Sequence, residues 1–596
     1  MDRSFYDNRK SEGEKIYKEI ASRCNLVSFL RLVTFMVFIA TCFTMYYVGR
    51  NYLIYGLLII SIVLFIYFVY LHSKKLEEKV RREKYIEINE EAIQRINGEW
   101  KSFQDTGSEF LDIKHPFVND LDIFGDHSLF QWINTTKTSY GRKKLASLLS
   151  LKALPGREEI YERQQAVKEL GKNIDFRQKL QVEGSLKDSA LGDTENFIQW
   201  CKGKNENILG SFMKIAMILL PVVFLSVTFL YFSTDYIISI FPVSIGILNF
   251  LVLKLGTKER NEALDIVYEL KGSIYTYFNM IKIVEHESFH SNKLTKIKST
   301  LINDEFNFTE EMKELNSIAN KIADRKNMIY IIINVALLWD YHLLTRLEYW
   351  RRKNSERLEQ WLEALGEIEA LCSIANISGD NPNWAYGEIT EDLSLEGENV
   401  SHPLLGERAV ANSFSLNNNN RIMLVTGSNM SGKSTFLRTI GINTIFTYVG
   451  APVNGTAYKC PILNIYTCMR IGDNLEENIS SFYAEILRIK SLINATDNGE
   501  RVLFMLDEIF RGTNSKDRHT GAEILINQLS EKTAIGLVST HDLELCDLEE
   551  NNKKVINYNF REHYENNEIK FDYKLRKGKS TTRNAIYLMK MAGINI

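Results

Sequence analysis

Net charge is what this chain of 596 residues most conspicuously lacks: 72 Lys and Arg stand against 75 Asp and Glu, a formal balance of −3. That balance excludes a histone-like polycation and a disordered acidic tail, but leaves room for local basic surfaces. Only 8 prolines and 33 glycines occur, so collagen-like and Pro/Gly low-complexity chains are excluded as well. The seven cysteines (Cys24, Cys42, Cys201, Cys372, Cys460, Cys468, Cys546) are odd in number and scattered, without a C-x-x-C pair. A disulfide framework or thiolate zinc site is therefore not expected, and a reducing compartment is. Zinc-finger and RNA-recognition signatures are missing too. The length suggests about three or four domains at roughly 150 residues each.

Long uncharged apolar runs, in contrast, are plentiful. Residues 32–49, 51–71, 215–234 and 236–253 carry no charge. At 1.5 Å per residue, runs of about 18–21 residues approach or match a hydrocarbon core about 30 Å thick. Arg50 separates the first pair and Asp235 the second, so the spacing predicts two helical hairpins, four transmembrane helices in all. Pro221 and Pro242 are tolerated in such spans. Basic residues flank both hairpins: Lys74, Lys75, Lys79, Arg81, Arg82 and Lys84 follow the first, Lys202, Lys204 and Lys214 precede the second, and Lys254, Lys258 and Arg260 follow it. The positive-inside tendency then predicts a multi-pass protein of the cytoplasmic (inner) membrane, with the soluble parts in the cytoplasm. A cleaved signal peptide over 1–45 is disfavoured, since the run is too long and no A-x-A-like site follows it. The run Met328 to Trp339 has 12 residues before Asp340 and is expected to be a core helix.

Between these runs the pattern is helical over 73–105, 128–188 and 257–375, with a loop over 106–127. After 376–382 the character changes. Residues 421–427 (RIMLVTG), 501–507 (RVLFMLD) and 533–540 (TAIGLVST) are short apolar runs with helical stretches between them, which predicts a mostly parallel α/β sheet.

The sharpest local signal follows the first of these strands. Gly427, Ser428, Asn429, Met430, Ser431, Gly432, Lys433, Ser434 and Thr435 fit G-x-x-x-x-G-K-[ST] between a strand and a helix. Glycines let backbone N–H groups converge on phosphate oxygens, and a helix N-terminus adds partial positive charge. Lys433 is expected to reach the β- and γ-phosphates of ATP, and the Ser434 hydroxyl to ligate Mg²⁺. The strand VLFMLDE ends in two carboxylates: Asp507 is expected to hold Mg²⁺, and Glu508 to orient or deprotonate the attacking water. His541, at the end of the next strand, is placed to reach the γ-phosphate or its water.

TGSNMSGKSTFLRTIG (426–441), LDEIFRGTNSKD (506–517) and STHDLEL (539–545) resemble the ATPase domain of the MutS family. HPLL (402–405), SSFYAEIL (480–487) and the segment from Tyr573 to Ile594 resemble further MutS segments in order, and LFQWINTTKTSYGRKKLASLL (129–149) is similar to the family's helical core. The resemblance implies a homodimer with each nucleotide between two ATPase domains, Ser480 or Ser481 contributing to the partner's site, and Asp517 matching the acidic residue of G-T-S-x-x-D. It also implies DNA as a partner. Phe510 stands where the family usually has glycine, and Asn478-Ile479 replace a glycine-basic pair. The first hairpin occupies the place of the mismatch-recognition domain, and the second lies where lever helices lead toward the DNA clamp.

The expected layout is an N-terminal cytoplasmic segment (1–25), a transmembrane hairpin (26–72), a helical connector (73–123), the first part of an all-α MutS-like core (124–208), a second transmembrane hairpin (209–255), the second part of the core (256–380) and an α/β P-loop ATPase domain with a C-terminal dimerisation segment (381–596). The expected function is that of a membrane-anchored, dimeric MutS-like ATPase that binds DNA. The cluster 74–84 is best matched to anionic lipid headgroups; those at 351–357 and 570–583 read more simply as solvated faces. Two alternatives are an ATP-switched membrane scaffold without DNA and an ABC-type transport ATPase. The latter lacks an LSGGQ-like signature between the phosphate loop and Asp507.

Overall fold

The computed structural model describes residues 1–49, 52–186, 194–203, 210–234, 238–303, 306–470, 481–565 and 568–579. Two antiparallel helices open the chain, α1 (Arg3–Val48) and α2 (Tyr52–Ile96), each about 70 Å long at 1.5 Å per residue. The boundaries expected near residues 25 and 72 fall inside these helices. No glycine or proline stands there to interrupt them, so a charged stem continues directly into the apolar run. The stem is fastened to the body by Tyr6, whose hydroxyl donates to Asp380 at 2.6 Å, and by pairs from Arg9 to Asp175 and Arg81 to Glu183, each 2.6 Å. Beyond it the apolar side chains, Leu32, Phe35, Leu57 and Ile66 among them, face outward.

The second hairpin comprises α3 (Ser211–Ser233) and α4 (Ile240–Lys254). Among the described residues three helices are long and apolar enough to cross a membrane, or up to five if two bent pairs each count as one span. One bent pair contains α5 (Met328–Leu337), and here the structure differs from the core helix expected for Met328 to Trp339. Of α5 only Tyr330 is buried, while Met328, Ile329, Ile331 and Ile332 are 59–81% exposed. The helix packs on α3 and α4 with one side, and no described element covers the other. A run of apolar residues gives no information on what covers it.

The remaining helices gather around α6 (Leu358–Asp380), which crosses the helix Ser139–Leu149 at two glycines. A Cβ on Gly366 would lie 2.7 Å from the Tyr140 carbonyl carbon, so only glycine allows this approach. Next to the crossing, the fully buried Glu369 carboxylate accepts from the Lys137 and Thr138 amides, at 2.8 and 3.2 Å, and from the Thr138 hydroxyl. Burial outweighs these donors and pushes its pKa up to about 7. The unfolded chain releases this proton near pH 4.5 and the folded one near 7. Stability from this group is thus fully present at low pH and lost as pH rises through that window, by about 3 kcal/mol. Thermal midpoints between pH 5 and 8 should fall less steeply for Glu369→Gln than for the parent chain; superimposable slopes would refute this.

Among the described residues the main sheet of the α/β part has six strands: β1 (Ile422–Thr426), β2 (Asn464–Cys468), β3 (Val502–Asp507), β4 (Ala534–Thr540), β5 (Val555–Glu565) and β6 (Glu568–Lys577). They lie in the order β6-β5-β1-β4-β3-β2, parallel except for the edge strand β6. β1, β3 and β4 are buried on both faces, which is why they read as unbroken apolar runs. One face carries α7 (Lys433–Val449) and merges with the helical core; the other carries α8 (Ser481–Asp497) and α9 (Ser515–Ser530). A smaller four-stranded sheet from residues 388–390, 395–400, 412–416 and 457–461 stands alongside.

Candidate active site

Parallel register sets Thr426 beside Thr540 and Asp507 beside Ser539 at the carboxyl ends of β1, β4 and β3. From Thr426 the chain turns through Met430 (φ 67°) and Gly432 (φ 102°) and enters α7 at Lys433. The left-handed backbone at position 432, immediately before the helix, is natural for glycine, and the α7 N-terminus points its partial positive charge into the loop. Met430 is 85% exposed. Lys433 folds back into the loop, donating to the carbonyls of Gly427 at 3.0 Å and Ser428 at 3.1 Å. Burial lowers its pKa, against the opposing pull of Glu508 and Asp507.

Ser434 Oγ donates to Asp507 Oδ2 at 2.6 Å, and the Ser539 hydroxyl donates to the other carboxylate oxygen. An all-oxygen set of this kind suits a hard divalent cation such as Mg²⁺. Glu508 takes a left-handed φ of 51° and is anchored by its amide to the Ser539 carbonyl at 3.0 Å. His541 Nε2 lies 2.7 Å from Glu508 Oε1 and 2.7 Å from Asn429 Oδ1, and 3.2 Å from Lys433 Nζ. Arg511 sits 2.9 Å from Glu508 and Lys433 3.7 Å. The hydrogen bond from His541, with the charges of Arg511 and Lys433, holds the Glu508 pKa at about 2 despite partial burial. Lys433, Ser434, Asp507, Glu508 and His541 thus meet in one place.

The remaining loop residues are less uniform. Ser428 Oγ donates to Glu562 at 3.0 Å, Ser431 Oγ is buried without a protein partner, and Thr435 borders a neighbouring cavity. Ser480 lies outside the described residues, and Ser481 opens α8. Asp517 and Asn514 cap α9 reciprocally: Asn514 Oδ1 accepts from the Asp517 amide at 2.9 Å, and Asn514 Nδ2 donates to the Asp517 carboxylate at 2.7 Å. Phe510 has a φ of 62°, a backbone shape that glycine adopts without strain. Its amide donates to the buried Glu485 on α8, which fixes the loop after Glu508.

Sequence reasoning assigned no chemistry to the cavity beside Gly432. It has a volume of about 360 Å³ and is lined by Val400, His402, Val410, Phe436, Phe560 and Tyr573, among others. Burial pushes His402 down to about 4, aided by the Arg438 charge, so its imidazole is neutral at physiological pH. Its Nδ1 accepts from the Leu404 amide at 3.3 Å. The signal available was the His402-Pro403 turn. The other walls come from segments as far along the chain as Tyr573 and are joined only by the fold.

Residues 111–375 match the sequence model of MutS domain III, and residues 423–595 that of MutS domain V. Together these models cover well over half of the chain. The chain belongs to the MutS family. Relatives include the DNA mismatch repair proteins MutS of Methanosarcina mazei, 27% identical over 307 residues, of Listeria innocua, 31% over 303, and of Aquifex pyrophilus, 28% over 302. Each match takes in 50% of this chain and 33–34% of the relative, so the chain spans about a third of the length of these MutS proteins. MutS domain III falls on the helices around α6, and MutS domain V on the sheet with the glycine-rich loop.

Proposed function

We propose that this MutS-family chain binds and hydrolyses ATP at the Lys433–Glu508 cluster, works as a homodimer, is held on the cytoplasmic face of the inner membrane by α1–α2 and α3–α4, and acts on DNA. The observation that carries the reading is the convergence of Lys433, Ser434, Asp507, Glu508 and His541 at the carboxyl ends of adjacent parallel strands, where α/β sheets bind ligands.

On this reading the loop from Gly427 to Gly432 wraps the phosphates, and Lys433 exchanges the Gly427 and Ser428 carbonyls for phosphate oxygens. Ser434 and Asp507 hold Mg²⁺, which when bound neutralises phosphate charge. That exchange withdraws the ammonium from Glu508. The His541 hydrogen bond and the Arg511 charge remain to hold the Glu508 pKa low, so at neutral pH Glu508 is a weak base that orients the attacking water and stabilises positive charge developing on it rather than removing a proton early. His541 bridges Glu508 and the loop through Asn429. The cavity beside Gly432 receives the adenine, with Phe436, Val410 and the neutral His402 as walls. Ser480 or Ser481 reaches the site of a second copy.

That the relatives are DNA mismatch repair proteins favours DNA over a scaffold that works without it. The test is a titration of nanodisc-held protein with duplex, mismatched and branched DNA at several salt concentrations. A DNA affinity that falls as salt rises is expected, together with a doubling of mass on ATP binding. No retention even at low salt would refute the DNA assignment.

A further inference from the structure

We propose that α5 is an interfacial helix, lying in the boundary between headgroups and acyl chains of the leaflet that faces the ATPase. The proposal rests on reading α3 and α4 as membrane spans, and adds a third inserted element at their foot.

Length argues against a span. The ten residues of α5 reach about 15 Å, half of a hydrocarbon core of about 30 Å. Composition argues against an aqueous face. From Met328 to Trp339 no residue is charged, and Met328, Ile329, Ile331 and Ile332 present one contiguous apolar surface. Burying side chains of this kind is worth about 1.5–3 kcal/mol each, so the surface calls for an apolar phase.

Position sets the depth. The fully buried Asn249 of α4 donates to the Val335 carbonyl at 2.9 Å. Tyr341 Oη donates to the carbonyls of Val252 at 3.0 Å and Leu255 at 2.7 Å. The carboxyl end of α5 is therefore level with the end of α4, where charge resumes at Lys254 and Lys258. At Leu338 (φ 50°) the chain bends by 81° into the helix Trp339–Asn354, which runs into the soluble core through Leu343, Leu347 and Trp350.

The foot is locked, so α5 cannot simply fold away. Asp340, 3% exposed, accepts from Tyr330 Oη at 2.6 Å and faces Arg325 at 3.3 Å and Arg260 at 3.7 Å. The exposed Lys254 and Lys258 lie at and just beyond the end of α4 and the exposed Lys326 just before α5, interspersed with the exposed Glu259 and Asp324, and the lysines suit an anionic headgroup layer. An apolar face rimmed by cations and continuous with the outward faces of α3 and α4 fits a lipid surface.

The test uses the full chain in nanodiscs of phosphatidylcholine and phosphatidylglycerol, with Cys42→Ser removing an exposed thiol. An environment-sensitive fluorophore is attached at Ile332→Cys or, as a control in the middle of α3, at Leu225→Cys. The probe at 332 should be blue-shifted and quenched at least about twofold more by a nitroxide near the headgroup than by one deep in the acyl chain, with the opposite order at 225. A probe at 332 that reads water, or that is shielded without lipid quenching as by a second copy or another protein, overturns the proposal while quenching at 225 preserves the membrane reading. If neither probe is quenched by either nitroxide, both fall.

Discussion

Glu508→Ala is expected to bind ATP with undiminished affinity and to turn it over about 10²–10³ times more slowly, whereas Lys433→Ala is expected to lose nucleotide binding itself. The asymmetry comes from the geometry. Lys433 is the buried cation of the loop and sits on two carbonyls that offer it no net charge; removing it leaves a loop with only backbone donors and the α7 dipole for a polyanion. Glu508 is an anion beside that cation, so its removal takes away a competitor for the ammonium as well as the group that orients water. Filter binding with labelled ATP and phosphate release by the purified protein separate the two effects. Normal turnover by Glu508→Ala would falsify the catalytic assignment, and tight nucleotide binding by Lys433→Ala would relocate the site.

The meeting of these residues was legible in the sequence, because the patterns that suit phosphate binding are short-range. A glycine-rich turn between strand and helix, a Lys-Ser pair and two carboxylates closing an apolar strand are all short-range patterns. The parallel sheet was legible for the same reason, since β1, β3 and β4 are buried on both faces and read as apolar runs. β2 (Asn464–Cys468) and the β5–β6 hairpin were not seen. These strands lie toward the sheet edges and alternate polar with apolar residues, a weaker pattern. α1 was legible in its apolar half only, and α2 as two separate pieces, an apolar run and a helical pattern from residue 73, because hydropathy changes near residues 25 and 72 while the backbone does not. For α5 the error was one of covering: twelve apolar residues suit a protein core or an interface equally well, and only the surrounding elements distinguish them. The cavity beside Gly432 and the contacts of Asp120 join residues more than a hundred positions apart, beyond the reach of any local pattern.

Asp120→Ala is expected to cost about 3–5 kcal/mol, the loss typical when one member of a buried ion pair is removed. Asp120 sits in the irregular segment that leads from α2 into the helical core, and it is fully buried. Its carboxylate accepts from Thr467 Oγ1 at 2.8 Å, the Met469 amide at 3.0 Å, the Arg470 amide at 3.1 Å and the Arg488 guanidinium on α8 at 2.8 Å. Its carbonyl accepts from Arg438, on the helix that begins at Lys433, at 2.8 Å. One residue therefore ties the end of β2, α7 and α8 to the start of MutS domain III, and α8 in turn grips the loop after Glu508 through Glu485. Alanine leaves two amides and the Arg488 charge without their acceptor, whereas Asp120→Asn keeps one acceptor oxygen and should fall between the two. Hydrogen exchange at the Met469 and Arg470 amides distinguishes this junction from general loosening: both should lose protection in Asp120→Ala while the amides of β1 and β4 keep theirs. ATP affinity should change little, because Asp120 is not among the groups gathered at Lys433, but turnover should fall as Glu508 loses its fixed loop. Unchanged exchange at those two amides, or a loss of affinity equal to that of Lys433→Ala, would show that the junction does not act this way.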